Sequence, residues 1–396
     1  MNAEVFDTDV FTRPTRLEID LENIRHNVRE YVRLAGPSCQ VMAVVKADGY
    51  GHGAVEVSRA ALQAGASRLG VALVEEGEEL RGAGLRAPVH LLFEPPPEAA
   101  PRVVELELIP TVYSEEYARA LSRACASRGA VLPVHLKVDT GMHRVGVAPG
   151  EAVALAEALR NMPGLELEGV YTHLAMASVP GHRFNGEQLR VFEGVLAELR
   201  LRGIEVPLRH VAASGAALSL PSSRMDMIRL GIAMYGLLPG KEYRGKLDLR
   251  PALSLRTRIC HVFRAREGEG VSYGLTYRCP RDGWLAVLPL GYADGLARAL
   301  SNRWEVLIAG KRYPQVGAIC MDLCMVYLGE DRYRPGEEVT VIGGWGEESV
   351  GVERMAELLG TINYEVVCDM GKRVPRLYLN RRGMSGSTEE DDGEGG

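Results

Sequence analysis

Two kinds of apolar pattern follow one another along the chain. In residues 1–245, short runs rich in Val, Leu and Ile alternate with longer segments of helical period. There are eight such runs, at 40–46, 68–72, 89–93, 108–112, 133–138, 166–173, 208–212 and 225–230. Near-continuous apolar strands separated by helices are typical of a parallel sheet covered on its faces. Eight repeats over about 200 residues predict a closed (β/α)₈ barrel, with a doubly wound sheet as the main alternative.

The pattern changes after Gly245. Apolar and polar residues then alternate in short segments separated by tight turns, at 253–259, 284–290, 304–308 and 339–342, and one amphipathic helix is predicted at 352–359. We therefore predict four regions. These are an N-terminal segment (1–14) that packs with the second domain, a barrel (15–245), a mostly β C-terminal domain (246–380) and a disordered acidic tail (381–396).

Composition and charge narrow the range of functions. Hydrophobic residues make up 46% and charged residues 25% of the 396 residues, which is enough apolar surface for a sizeable core. The net charge is −6, and residues 389–394 carry five of the negative charges, so the rest of the chain is near neutral. A near-neutral body has no basic field to attract nucleic acid or an anionic membrane surface, and we expect neither as a partner.

Two further observations predict a cytoplasmic protein. The first 19 residues contain Glu4, Asp7 and Asp9 and no apolar stretch, unlike a signal or transit peptide, and no run approaches the ~18 apolar residues of a membrane span. The seven cysteines are dispersed and never spaced C-x-x-C, which favours free thiols over disulfides or zinc ligands. We predict no metal site.

Five polar residues fall at the carboxyl ends of the predicted strands, where the chemistry of a barrel is found. Lys46 ends the first run, Arg144 follows the fifth, His173 ends the sixth, Ser214 follows the seventh and Arg229 lies at the end of the eighth. A lone lysine at a strand end is most often a solvated side chain. Burial beside cations such as Arg144 and Arg229 would lower the pKa of its amine, which a Schiff-base lysine requires.

The loops after the seventh and eighth runs are candidates for a phosphate site. Ser214 offers a hydroxyl, and Gly231 and Ile232 offer backbone N–H groups with little steric obstruction. Small residues at a helix start are common for packing reasons alone. Together with a lysine at the barrel mouth, however, they suggest a phosphorylated carbonyl cofactor, and pyridoxal phosphate is the one that lysines hold.

Three further stretches contain candidate residues. KVDTGMHRVG follows the fifth run and places Lys137 and Asp139 near Arg144, as part of a site or as a solvated loop. In the second domain, GVSYGLTY contains Tyr273 and ICMDLCM contains Met321. A tyrosine in a β-hairpin is far more often a packing residue than a catalytic one, so the pattern alone does not single out Tyr273.

These segments resemble the alanine racemases, a family of barrel-type pyridoxal-phosphate enzymes. The matching motifs run in order from residue 13 to residue 376: RPTRLEIDLENIRHN, AVVKADGYGHG, KVDTGMHRVGV, GVYTHLA, DMIRLGIAMYG, VSYGLTY, GYADG, CMDLCM, TINYE and RVPR. They cover nearly the whole chain, and their combination is very specific. The resemblance implies an isomerase that interconverts L- and D-alanine with pyridoxal 5′-phosphate, supplies D-alanine for peptidoglycan and forms a homodimer with composite active sites.

The resemblance also implies a role for each matching residue. Lys46 would hold the cofactor covalently and act as the base for the D-enantiomer, and the partner's Tyr273 would act as the base for the L-enantiomer. Arg229 would face the pyridine nitrogen, and His173 would link Arg229 to Tyr273. The residues implied to bind the phosphate are Tyr50, Ser214, Gly231, Ile232 and Tyr364.

The substrate carboxylate has its own implied partners. Arg144 would contact it and the cofactor oxygen, steadied by Lys137, which in this family is often carbamylated. The partner's Met321 would offer its backbone N–H to the same carboxylate.

The chemistry agrees with these residue types. Racemisation removes a proton from one face of the α-carbon and returns one to the other, so one base on each side is economical. Because an ordinary tyrosine keeps its proton at neutral pH, cationic character reaching from Arg229 through His173 is needed to favour the phenolate. Arginine does not readily give up a proton, which leaves the pyridine nitrogen unprotonated and should restrain transamination.

Three positions depart from the family and leave alternatives open. Ala213 stands where family members usually have Asn, and Ser178 and Ala318 stand where many have a charged pair at the substrate entrance. Racemisation of serine, lysine or several amino acids is therefore an alternative, although Lys137 favours alanine. A barrel-type decarboxylase and a non-catalytic pyridoxal-phosphate carrier are further alternatives, and the β domain with Tyr273 and Met321 argues against both.

Overall fold

The computed structural model describes residues 12–381. The predicted acidic tail, apart from its first residue, and most of the predicted N-terminal segment lie outside the described residues. Within 12–381, no helix is both long enough and apolar enough to cross a membrane. The first strand is β1 (Arg16–Asp20).

Eight parallel strands form a ring in the first half of the chain. The first seven strands pair in sequence order, and the eighth pairs with the first. At the remaining gap, Ala213, which follows the seventh strand, forms a parallel bridge with Arg229 of the eighth. The predicted (β/α)₈ barrel is therefore confirmed. Its strands are β2 (Gln40–Val44), β3 (Arg68–Val71), β4 (Val89–Leu91), β5 (Leu108–Val112), β6 (Leu132–Lys137), β7 (Leu165–Tyr171), β8 (Leu208–His210) and β9 (Met227–Leu230).

Helices cover the outside of the barrel. They are α1 (Leu21–Ala35), α2 (Ala54–Gln63), α3 (Val74–Gly82), α4 (Ala100–Glu105), α5 (Glu115–Arg128), α6 (Ala152–Arg160), α7 (Arg183–Leu201) and α8 (Ser214–Ser219). Strand β9 is followed only by a 3₁₀ turn, and α1, which precedes β2 in the chain, packs against β2 and β9 in its place. Helix α1 is capped by Asp20, whose carboxylate accepts hydrogen bonds from the N–H groups of Glu22 and Asn23.

The second half of the chain builds a mostly β domain, as predicted. Its strands are β10 (Leu253–Arg258), β11 (His261–Ala265), β12 (Gly270–Val271), β13 (Tyr277–Arg278), β14 (Gly283–Leu288), β15 (Glu305–Ile308), β16 (Lys311–Val316), β17 (Cys324–Gly329), β18 (Glu338–Trp345), β19 (Glu348–Val350) and β20 (Arg376–Leu379). Two helices complete it, α9 (Val352–Leu359) and α10 (Asn363–Cys368). The main sheet has the strand order β11-β14-β17-β16-β15-β18-β10-β1-β20, with β19 paired to β18 and a separate β12-β13 hairpin.

Strand β1 belongs to this second sheet and not to the barrel. It runs antiparallel to β10, with Leu17 opposite Leu255, and parallel to β20, with Ile19 opposite Tyr378. The sequence pattern predicts a barrel that begins at residue 15 and so assigns these residues to it. A five-residue alternation predicts a strand but does not indicate which sheet the strand joins, and that explains the difference.

Candidate active site

A cavity of about 560 Å³ opens among the carboxyl ends of the barrel strands. It brings together ten of the twelve predicted site residues: Lys46, Tyr50, Lys137, Arg144, His173, Ser214, Arg229, Gly231, Ile232 and Tyr364. The other two, Tyr273 and Met321, do not line it. Their side chains lie on the second domain and are 74% and 53% exposed.

Lys46 follows β2 after one intervening residue, Val45, and the chain then forms one turn of left-handed helix. Ala47 and Asp48 have φ angles of 52° and 51°. This conformation costs an L-residue about 1–2 kcal/mol, so it persists only where its surroundings hold it. The carboxylate of Glu76 accepts a hydrogen bond from the N–H of Ala47 at 2.6 Å and stabilises the turn. The glycine-rich sequence predicted a loop here, but not its handedness.

Three basic side chains surround one aromatic ring in the cavity. The Nζ atoms of Lys46 and Lys137 lie 5.5 and 5.3 Å from the centre of the Phe93 ring, and Cζ of Arg144 lies 5.6 Å from it. In the part of the chain that the structure describes, none of the three forms a salt bridge with a carboxylate. The cavity therefore carries uncompensated positive charge that suits an anionic ligand.

Burial and neighbouring cations lower the pKa of both lysines. Burial is the main cause for Lys46, and Arg144 adds to it. For Lys137, burial together with Arg229 and Arg144 lowers the pKa from 10.5 to about 7. A neutral amine is the form that attacks a carbonyl carbon, so Lys46 has the property that the sequence analysis required of it.

Arg229 is buried at the base of the cavity and has a fixed orientation. Its Nη1 atom donates to Nδ1 of His210 at 2.8 Å, and its Nη2 atom donates to the carbonyl groups of Thr172 and Val211 at 2.8 and 2.9 Å and to Nδ1 of His173 at 3.0 Å. Burial lowers the pKa of Arg229 to about 10, so it remains a cation at neutral pH. Among the described residues, its Nε–H has no acceptor and is available to a ligand.

The hydrogen bond from Arg229 fixes the proton of His173. Since an arginine can only donate, Nδ1 of His173 accepts, and the ring proton is on Nε2. Burial first, and then Arg229 and Arg144, hold the pKa of His173 well below its usual value. His173 is therefore a neutral residue that presents an N–H group.

Hydroxyl and amide groups converge on the opposite wall of the cavity. The N–H of Gly231 donates to Oγ of Ser214 at 3.0 Å. A Cβ atom on Gly231 would lie 3.1 Å from the hydroxyl oxygen of Tyr50, so only glycine leaves this space open. Ser214 and Ile232 each begin a short helix, and the first N–H groups of a helix have no intrahelical acceptor. These groups fit a phosphate.

Tyr273 and Met321 lie in an exposed apolar surface on the second domain. Ser272 has a φ of 62°, and its hydroxyl donates to the carbonyl oxygen of Ala318 at 2.7 Å, which holds the segment before Tyr273. The N–H of Tyr292 donates to the carbonyl oxygen of Cys320 at 3.0 Å and brings a third segment alongside. We call this the exposed patch; its residues are Tyr273, Leu275, Tyr292, Met321 and Leu323.

Three residues at the site were missed by the sequence analysis. They are Glu76, which holds the left-handed turn, Phe93, which faces three cations, and His210, which accepts from Arg229. Phe93 is the last residue of the third apolar run and could have been found by the strand-end rule. Glu76 is one of four glutamates in a short segment, and nothing in the local sequence distinguishes it.

A barrel whose mouth combines a lysine of lowered pKa with a wall of hydroxyl and amide groups that suits a phosphate is typical of one class, the barrel enzymes that hold a phosphorylated carbonyl cofactor. The alanine racemase N-terminal domain model matches residues 19–239, and the alanine racemase C-terminal domain model matches residues 252–378. The chain belongs to the alanine racemase family. The members of this family are isomerases that depend on pyridoxal phosphate.

Individual relatives are similar over nearly their whole length. An alanine racemase from Desulforamulus reducens is 45% identical over 369 residues, which are 92% of this chain and 99% of that protein. The structure of alanine racemase from Streptomyces coelicolor A3(2) matches with a TM-score of 0.90 at 38% identity, covering 94% of this chain and 100% of that one. A histidine racemase from Leuconostoc mesenteroides matches with a TM-score of 0.86 at 27% identity, covering 93% and 98%.

Proposed function

We propose that this chain interconverts L-alanine and D-alanine with pyridoxal 5′-phosphate as cofactor, and that its product supplies peptidoglycan synthesis. The observation that carries the proposal is the single cavity that gathers Lys46, Arg144 and Arg229 with the phosphate-binding wall. It occurs in a chain that matches the family models in both of its domains.

The residues of the cavity fit the cofactor group by group. Lys46 would hold it covalently, and Arg229 would offer its remaining Nε–H to the ring nitrogen. The phosphate would be held by the hydroxyl and amide groups of the opposite wall, which belong to Tyr50, Ser214, Gly231, Ile232 and Tyr364. When bound, pyridoxal phosphate withdraws electrons from the α-carbon of an amino acid and makes its proton removable.

Two bases on opposite sides of the α-carbon then move the proton. Once the amino group of the substrate has replaced it on the cofactor, the free amine of Lys46 would remove the proton of the D-enantiomer, or donate one when that enantiomer forms; burial lowers its pKa. The hydroxyl of the partner's Tyr273 acts on the other side, with the Nε2–H of His173 as its neighbour. Because Arg229 fixes the His173 proton on Nε2, this histidine can donate to the phenolate oxygen and stabilise it.

The substrate carboxylate is bound by positive charge. Arg144 supplies the guanidinium, and its placement over Phe93 beside Lys137 holds it at the cavity. The partner's Met321 donates its backbone N–H to the same carboxylate. A carbamate on Lys137 would replace its amine by an anion and so hold Arg144 by an ion pair.

The proposal includes a homodimer. Tyr273 and Met321 are the two site residues outside the cavity, and they lie together in the exposed patch. Exposed apolar surface of this kind is typical of an interface between subunits. A two-fold dimer would bring the exposed patch of each chain to the cavity of the other and complete two sites.

Features of the cavity and of the second domain bear on two alternative functions. A racemase of several amino acids is favoured by the small side chains of Ser178 and Ala213, which line the cavity. Ala318 does not line it, and its carbonyl oxygen accepts from Ser272 instead. A non-catalytic cofactor carrier is disfavoured by the second domain, which matches the racemase C-terminal domain over residues 252–378.

A racemisation assay tests the proposal. Purified protein is first examined for visible absorbance and then supplied with L-alanine, L-serine and L-lysine in parallel. We expect a yellow protein that racemises alanine fastest. A yellow protein that racemises none of the three would support the carrier, and equal rates would support the broad-specificity enzyme.

We also place the protein in the cytoplasm. All seven cysteines are unpaired thiols in the structure, which suits a reducing compartment.

A further inference from the structure

A chain of hydrogen bonds runs through the interior of the barrel below Arg229. Nη1 of Arg229 lies 2.8 Å from Nδ1 of His210, Nε2 of His210 lies 2.8 Å from Nδ1 of His135, and Nε2 of His135 lies 2.8 Å from Oε2 of Glu168. Both histidines are completely buried. Barrel interiors are usually filled by branched apolar side chains, so a polar chain here needs an explanation.

Arg229, at one end of this chain of hydrogen bonds, determines which atom donates in each of them. An arginine only donates, so Nδ1 of His210 accepts and the proton of His210 is on Nε2. That proton is donated to Nδ1 of His135, whose own proton is then on Nε2 and is donated to Glu168. Burial is the first cause that lowers the pKa of both histidines, so both rings are neutral. A single proton arrangement satisfies every contact.

The lower end of the chain is held by an ion pair across the barrel. Glu168 on β7 accepts two hydrogen bonds from Arg68 on β3, at 2.8 and 2.7 Å, and these strands are four places apart in the ring of eight. Burial alone would raise the pKa of Glu168, but the hydrogen bonds from His135 and Arg68 lower it to about 2. Glu168 is therefore a permanent acceptor at neutral pH.

We propose that Glu168 is a positioning residue for the active site. It fixes the tautomers of His135 and His210 and thereby orients the guanidinium of Arg229 from the amino-terminal end of the barrel. Without a carboxylate at 168, His135 can move its proton to Nδ1, where it meets the Nε2–H of His210. Relief of that donor–donor contact reverses His210, whose Nδ1–H then opposes Nη1 of Arg229 and displaces it.

The expected effect on catalysis rests on the proposed function, because it depends on the contacts of Arg229 with the cofactor and with His173. Arg229 offers Nε–H to the cofactor and fixes the proton of His173 through Nη2. A displaced guanidinium changes both contacts. The tautomers themselves can be measured whether or not the protein is a racemase.

The matched pair of variants is Glu168→Gln and Asp226→Asn. Each replaces a carboxylate by an amide, and each removes an ion pair with an arginine near the amino-terminal end of the barrel, Arg68 or Arg209. The carboxylates are similarly exposed, at 22% for Glu168 and 24% for Asp226. Asp226 has no hydrogen bond to the chain of histidines among the described residues, so its variant controls for the loss of an ion pair alone.

The first measurement is the ¹⁵N spectrum of the histidine side chains in the full-length holoenzyme, labelled at histidine. We expect His135 and His210 of the wild type both to carry the proton on Nε2. Glu168→Gln should change which nitrogen carries the proton in both rings. Asp226→Asn and Glu168→Asp both keep a carboxylate at 168 and should leave the proton on Nε2. A wild-type spectrum with either histidine protonated at Nδ1 overturns the proposal, even if no variant folds.

The second measurement is steady-state racemisation of alanine. We expect Glu168→Gln to lower kcat by about tenfold or more with little change in KM, and Glu168→Asp to restore much of it. Asp226→Asn should stay within about twofold of the wild type. If Glu168→Gln changes the tautomers but leaves kcat unaltered, the positioning role is wrong. A wild type that racemises nothing contradicts the proposed function, and the spectrum still decides the proton arrangement.

Discussion

Lys46 and Lys137 share one aromatic ring: their amines lie 5.5 and 5.3 Å from the centre of Phe93. Ammonium groups this close to one ring repel each other, and Lys46 is one of the cations that lower the pKa of Lys137. Burial is the main cause that lowers the pKa of both amines. A lowered pKa therefore does not by itself decide which of the two lysines binds the cofactor.

We predict that Lys46 and no other lysine carries the cofactor. Reduction of the yellow protein with borohydride, followed by peptide mapping, should place the pyridoxyl label on Lys46. Lys137 is the internal control because its amine has a lowered pKa and lines the same cavity. Label on Lys137 would reverse the assignment of the two residues.

We predict that Lys137 reacts with carbon dioxide. A pKa of about 7 leaves much of its amine neutral at physiological pH, and a carbamate would form an ion pair with Arg144. Protein equilibrated with ¹³C-bicarbonate should show a carbamate signal in its ¹³C spectrum. The signal should be lost in Lys137→Met and kept in Lys46→Ala, and its survival in Lys137→Met would disprove the site.

In buffer free of carbon dioxide, Lys137 should make stability depend on pH. Above pH 7 the folded chain holds Lys137 neutral, whereas an unfolded lysine keeps its proton up to pH 10.5. The unfolded state therefore binds more protons between these values, and the free energy of unfolding rises with pH through this window. The Tm advantage of Lys137→Met over the wild type should be largest at pH 7 and should shrink towards pH 10. A Tm difference that does not change with pH would show that the pKa of Lys137 is not lowered.

Gly231→Ala should weaken cofactor binding without unfolding the protein. The added methyl group would lie 3.1 Å from the Tyr50 hydroxyl and displace it from the phosphate wall. Loss of one hydrogen bond to a charged group is worth about 1.5–3 kcal/mol, so Kd should rise about tenfold or more. The control is Gly186→Ala on helix α7, where the methyl group meets nothing within 4 Å. Equal cofactor affinities of the two variants would argue against phosphate binding by the wall that contains Gly231 and Tyr50.

Composite sites can be tested by mixing inactive variants. Lys46→Ala and Tyr273→Ala should each be inactive, but subunit exchange should create dimers in which one site holds both defects and the other holds neither. Activity should recover up to about a quarter of wild type, because about half of the dimers are mixed and each has one good site. Lys46→Ala mixed with Arg144→Ala is the control, since both residues belong to the barrel and no intact site can form. Two results would contradict composite sites: recovered activity in the control mixture, or no recovered activity in the mixture of Lys46→Ala and Tyr273→Ala although subunits have exchanged.

Much of the barrel and its mouth could be predicted from the sequence. All eight barrel strands overlap the eight apolar runs, because strands buried on both faces must be apolar throughout. Lys46, His173 and Arg229 followed from the strand-end rule and gather at one cavity. The pattern did not single out Tyr273, and its role came from the resemblance alone.

Contacts between distant strands could not be predicted. Glu168 is one of two glutamates in β7, and His135 lies between Val134 and Leu136; neither local sequence indicates the partner of the polar side chain. Arg68 meets Glu168 across 100 positions of sequence, through a ring that exists only after the barrel closes. Similarly, the short alternation of β1 gave no indication of the sheet that it joins.

The placement of β1 has a consequence for synthesis on the ribosome. This strand is made before the barrel, yet it pairs with β10 and β20, which follow about 240 and 360 residues later. At roughly 5–20 residues per second, β1 stays without either neighbour for about 10 seconds or more while the barrel between them is completed. The second domain is thus assembled around a strand that has already left the ribosome, and neither domain can be expressed as a simple terminal fragment without cutting this sheet.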